Sequence, residues 1–217
     1  MPPTSAQSFL RESMSFPVLV VATRKPLNQF YHSIYDDAKN LNFTYFNTSK
    51  DFDELDDLSS NPEPLPSSSI QVKIRNISTV LAMGIYEMIT GGKYTKNLAA
   101  SSVLIDEFLH CYLESTNCPL FKATMKEESF HGNSYPPQRY ISVQSSFTLE
   151  ATGWAYRVFG FVLSEKIANY TKENCTIMPM YWMPGSKMEG ECRRLTQNLS
   201  YAISPAFTID GMCELND

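Results

Sequence analysis

A chain of 217 residues with 43% hydrophobic content is long enough to bury a substantial core. Its formal charge of −5, with Lys/Arg runs no longer than Arg24-Lys25 and Arg193-Arg194, offers no electrostatic footprint for nucleic acid or an anionic membrane surface. Nucleic acid is excluded as a partner on that ground.

The opening stretch MPPTSAQSFLRES has neither the basic nor the apolar region of a signal peptide. FPVLVVAT, Phe16 to Thr23, is a nearly continuous apolar run and predicts a strand covered on both faces in a parallel sheet. FYHSIYDDAKN follows, where His32 stands four and five residues before Asp36 and Asp37. That spacing would let one carboxylate face the imidazole across a helical turn, as an orienting partner of a metal ligand does. DFDELDDLSSNPEPLPSSS, Asp51 to Ser69, reads as a solvated acidic and Pro/Ser-rich linker; it lacks the glycine and the final glutamate of a calcium loop.

From Ile70 onward, apolar residues at Ile70, Ile74, Ile77, Leu81, Ile85 and Met88 predict a helix, with Ser67 to Ser69 as cap candidates and Gly91-Gly92 as its stop. A second helix is expected from Ser101 or Ser102 to about Glu114, burying Leu104, Phe108 and Cys111 and ending at Asn117-Cys118-Pro119. RYISVQS, Arg139 to Ser145, alternates as a half-buried strand does. Trp154 to Leu163 fits helix or strand. A last helix is expected from about Glu191 to Ile203, ended by Pro205. The longest apolar runs fall short of the roughly 20 residues of a membrane helix.

Nucleotide-binding and hydrolase motifs are missing from the sequence, and His110 and His131 stand without a placed partner and read as structural or surface residues. His32 has the best claim to chemistry, yet a zinc hydrolase needs about three protein ligands and an open position, and no other segment supplies the set. Six sequons, at Asn42, Asn47, Asn76, Asn169, Asn174 and Asn198, exceed the about two expected by chance and point to a lumenal or extracellular protein. Five cysteines agree with an oxidising compartment. The targeting and anchoring segments are accordingly expected to lie outside this chain. Cys111 and Cys118 can pair only if the helix ends between them, because seven helical residues span about 10 Å and a bridge tolerates about 7 Å.

In order along the chain, PPTSAQSFLRE, NQFYHSIYDDAKNLNFTY, STVLAMGIYEMITGG, NCPLFKATM, PQRYISV, NYTKENC and ECRRLTQNLSYAISPAFTI resemble the C-terminal half of the nicastrin ectodomain. The resemblance implies an α/β fold, part of an aminopeptidase-like lobe of the zinc exopeptidase superfamily, with a mixed, largely parallel sheet flanked by helices. Residues 1–50 would give a strand and helix of that lobe, 51–69 the linker, and 70–217 its C-terminal helical and strand part. It further implies a glycosylated, non-catalytic ectodomain of a single-pass type I membrane protein, a subunit of γ-secretase beside the protease presenilin and the other subunits. Such a subunit supports assembly and sterically gates or recruits type I membrane protein substrates, and needs no cofactor.

In the superfamily, the stretch matching FYHSIYDD carries the last zinc-binding histidine, so the resemblance makes His32 the relic of a ligand, at a place where vertebrate nicastrins have glutamine. The alternative is a zinc-dependent exopeptidase with His32 as ligand and Asp36 or Asp37 in support; a transferrin-receptor-like binding ectodomain is a third reading. The resemblance also implies a Cys175–Cys192 disulfide, which leaves Cys213 as the odd thiol. Glycans are expected on Asn42, Asn47, Asn76, Asn169 and Asn198. Asn174 is set apart, since early closure of a disulfide at Cys175 would hinder its modification.

Overall fold

A computed structural model describes residues 29–31, 33–48, 52, 56–57, 63–125, 130–137, 151–195, 207–209 and 213–215. The strands expected at Phe16 to Thr23 and Arg139 to Ser145 lie outside these residues, as do His32 and Pro205. The chain divides into two units, residues 1–36 and 37–217. In the first, the Ser33 amide donates to the Phe30 carbonyl at 2.9 Å and the Asp36 amide to the Ser33 carbonyl at 3.2 Å. Phe30 and Tyr35 meet edge to face with centroids 6.4 Å apart.

The second unit begins with β1 (Asp56–Asp57), then α1 (Ile70–Thr90), β2 (Leu98–Ala99), α2 (Ser102–Leu113), α3 (Pro119–Ala123) and α4 (Ala151–Val162). Ser69 caps α1 by accepting the Val72 amide, and Gly91 ends it at φ 68, a left-handed conformation that a Cβ would penalise. The face that α1 buries is not the apolar stripe but Gln71, Val72 and Arg75; Ile77 stays 53% and Met88 67% exposed. Polar residues win that face because each finds partners: Gln71 on α2, and Arg75 on the Ala100 carbonyl at 3.1 Å and the Glu63 carboxylate at 3.2 Å.

Within 51–69, described residues make contacts that the composition does not announce. Phe52 and Leu65 are buried, Asp56–Asp57 pairs antiparallel with Leu98–Ala99, and Glu63 accepts from Ser102.

Ser101 caps α2, accepting the Leu104 amide at 3.2 Å. The helix ends at Leu113, and the turn that follows brings Cys118 back to Cys111, with Cα atoms 5.5 Å apart in a disulfide. Pro119 then starts α3, where its missing amide costs nothing. The core gathers here: Val103, Cys111, Cys118, Leu120, Phe121, Trp154, Val158 and Phe161 are buried. Trp154, Val158 and Phe161 recur at helical spacing, which decides that 151–162 is helix. The Trp154 indole stacks on Phe121 at 4.2 Å and 3°.

A three-stranded sheet follows, in the order β3 (Ser164–Ile167), β5 (Glu191–Leu195), β4 (Met180–Met183). Residues 191–195 are therefore strand and not the start of a helix. Their pairing with both neighbours, Ile167 opposite Cys192 and Met183 opposite Glu191, overrides the helical spacing of Cys192 and Leu195. The Cys175–Cys192 disulfide, with Cα atoms 5.8 Å apart, pins the central strand to the preceding loop.

A final hairpin joins β6 (Phe207–Ile209) and β7 (Cys213–Leu215). Among the described residues every strand pair is antiparallel, which corrects the expectation of a largely parallel sheet. These strands are short, and the 184–190 connection between β4 and β5 has hairpin length, too short for the crossover that a parallel pair requires.

Candidate functional site

The residues singled out for metal chemistry do not form a described site. His32 lies outside the described residues, and the Asp37 carboxylate is engaged locally, accepting the Asn40 amide at 2.8 Å. Among the described residues no group of three or more His, Cys, Asp and Glu side chains is placed to hold a metal ion.

The structure instead gathers polar groups where α2 meets α1 and residues 44–47. Asp106, 1% exposed, accepts from three N–H donors: Gln71 Nε2 at 2.6 Å and the amides of Phe46 at 3.0 Å and Asn47 at 3.2 Å. Gln71 Nε2 also reaches the Thr44 carbonyl at 2.8 Å. Next to Asp106, Glu107 accepts the Tyr45 hydroxyl at 2.7 Å. The Tyr45 ring lies flat on His110, centroids 3.8 Å apart, and His110 Nδ1 lies 2.9 Å from Glu114 Oε2.

Burial pushes the Asp106 carboxyl above the usual carboxylate range, against its three donors. Burial does the same to Glu107, opposed first by the Tyr45 hydrogen bond. The Tyr45 hydroxyl is pushed up as well, by burial first and then by Glu107. The cluster fastens an otherwise irregular segment to a helix. None of its members was singled out from sequence except His110, because the partners of α2 lie 59–62 residues upstream.

Asn42, Asn47, Asn76, Asn169 and Asn174 are exposed, and Asn198 lies outside the described residues. Asn42, Asn47 and Asn169 adopt φ of 55, 48 and 65, the left-handed region asparagine tolerates best among residues with a Cβ; Asn42 and Asn169 lie in turns and Asn47 in the irregular run 43–48. Asn76 is exposed on α1, with its side-chain oxygen accepting from the Arg75 guanidinium at 3.3 Å. Glycopeptide mass spectrometry of the protein secreted from eukaryotic cells is expected to find glycans on Asn42, Asn47, Asn76, Asn169 and Asn198. Most of these five unmodified would contradict a lumenal location.

Residues 1–86 match the family described as the nicastrin large lobe. Across 96% of its length the chain is 27% identical to nicastrin of Mus musculus and 26% identical to nicastrins of Rattus norvegicus and Homo sapiens. It spans about 30% of the length of these curated relatives. Among the described residues no helix is long and apolar enough to cross a membrane.

Proposed function

We propose, because the chain belongs to the nicastrin family, that it forms part of the lumenal or extracellular ectodomain of a γ-secretase subunit and that this ectodomain is non-catalytic. The observation that carries this reading is the likeness to nicastrins over 96% of the chain, on both sides of residue 86, where the large-lobe match stops. Exposed sequon asparagines and two disulfides support an oxidising, glycosylating compartment.

In this reading the ectodomain acts by bulk. A glycosylated lobe above a membrane protease admits type I membrane proteins whose own ectodomains are short and excludes longer ones. It also contributes surface to assembly with presenilin and the other subunits. No side chain of this region touches a reacting atom in such a mechanism, and His32 is the remnant of a ligand. Residues 51–69 serve as a connector within one lobe.

The reading is tested on the full-length protein carrying His32→Gln. Assembly with presenilin and substrate cleavage are expected to equal wild type, and zinc content to be unchanged. One tightly bound zinc per wild-type ectodomain that disappears in the variant, together with a loss of aminopeptidase activity, would establish the exopeptidase alternative instead.

A further inference from the structure

The Asp106–Glu107 pair has a feature that a purely structural anchor does not need: two adjacent, buried carboxyls with unequal satisfaction. Asp106 holds three N–H donors, which favour its anionic form. Glu107 holds the Tyr45 hydroxyl on Oε1 and is also favoured as an anion by the Leu120 amide, one donor fewer than Asp106. Among the described residues, Glu107 Oε2 and Gln71 Oε1 are buried without a hydrogen-bond partner. Both are acceptors when Glu107 is ionised, and a proton on Glu107 turns one of them into a donor.

We propose that Asp106 and Glu107 bind one proton between them in mildly acidic surroundings, with Glu107 as its holder, and that this tightens the grip of α2 on residues 44–47. Protonated Glu107 still accepts the Tyr45 hydroxyl through its carbonyl oxygen. The negative charge beside Asp106 disappears, so its contacts to the Phe46 and Asn47 amides strengthen.

The charged and titratable groups facing the pair come from two elements. From α2, His110 when protonated favours both anions, and Glu114 sits one turn further on. From the segment, Tyr45 contributes its hydroxyl. α1 presents the neutral Gln71, and α3 the Leu120 amide, which favours ionised Glu107. Burial outweighs these in both carboxyls, in agreement with the geometry. A carboxyl raised in the folded state contributes stability that is full below its unfolded pKa and lost as pH rises through the folded value. The segment is therefore held best in mild acid and more loosely at neutral pH.

Native-state hydrogen exchange at the Phe46 and Asn47 amides of the full chain, corrected for intrinsic rates, tests this at about pH 7.5 and about pH 5.5. Protection is expected to be higher at about pH 5.5 than at about pH 7.5. Glu107→Gln is expected to give high protection at both pH values. Equal or lower protection in acid, or a Glu107→Gln protein that keeps the wild-type pH dependence, would overturn the proposal. If that variant fails to fold, the carboxyl carbon resonance of Glu107 in the wild-type chain decides. Titration above the ordinary glutamate range supports the proposal, and full ionisation at about pH 5.5 refutes it.

Discussion

Trp154→Ala is expected to destabilise the 37–217 unit by about 3–5 kcal/mol, the cost of emptying a buried aromatic site. The indole is fully buried, lies parallel to Phe121 at 4.2 Å, and meets Phe130 at 5.9 Å and the Arg157 guanidinium at 5.4 Å. It joins α4 to α3, and α3 is joined to α2 by the Cys111–Cys118 disulfide, so its loss loosens three helices together. Domains of this size have about 5–15 kcal/mol in all, so the variant should lie near the edge of folding. Trp154→Phe keeps the stack and should cost markedly less. Urea unfolding followed by far-ultraviolet circular dichroism measures both, and a change of under about 1 kcal/mol in Trp154→Ala would place the core elsewhere.

Arg193→Met is expected to cost a similar amount, about 3–5 kcal/mol, by a different route. The guanidinium is buried on β5 and donates to the Glu191 carboxylate, to the Phe161 carbonyl at 3.0 Å and to the Ser164 carbonyl at 3.2 Å, with its Cζ over the Phe161 ring at 4.0 Å. It thereby closes the C-terminal end of α4 onto the sheet. Methionine fills the space but removes the guanidinium from both carbonyls, leaving Phe161 with the Ser164 hydroxyl at 2.6 Å and the 8% exposed Glu191 with Lys166, at 2.6 Å, as the remaining partner of the two cations. Arg193→Lys should recover little, since one ammonium cannot reach the same fork of acceptors.

The pH dependence gives the second readout. Burial is the largest single influence on Glu191 and raises it, but the hydrogen bonds and charges of Lys166 and Arg193 together hold it below the usual carboxylate range. Its contribution is present above the unfolded pKa and lost as pH falls through the folded value. In Arg193→Met the loss of stability linked to Glu191 in acid should shrink, because its folded-state value rises toward the unfolded one. An unchanged loss would mean that Lys166 alone sustains the carboxylate.

Local chemistry was legible where it is self-contained. Ser69 and Gly91 bound α1 and Ser101 starts α2, because a cap acts within one turn, whereas Pro119, expected only as a helix stop, also opens α3. Periodicity misled where partners are distant. Cys192 and Leu195 are spaced as on a helix, but the residues that make 191–195 a strand lie at 164–167 and 180–183. Gln71 and Arg75 look like surface residues until Asp106, Glu63 and the Ala100 carbonyl are placed around them. The same holds for Asp106 and Glu107, an ordinary acidic pair in sequence whose neighbours are supplied by the fold. The family likeness was legible from seven ordered segments, because it depends on residue identity along the chain and not on knowing which residues touch.

The proposed role rests most directly on whether the full-length protein can serve as a nicastrin. Expressed in cells that lack their own nicastrin, it should restore assembly of a presenilin-containing complex and cleavage of a type I membrane substrate with a shortened ectodomain. A substrate with its ectodomain left long should stay uncleaved. Failure to enter that complex in cells where a vertebrate nicastrin does, with peptide hydrolysis by the purified ectodomain, would contradict the account and assign the chain to an exopeptidase.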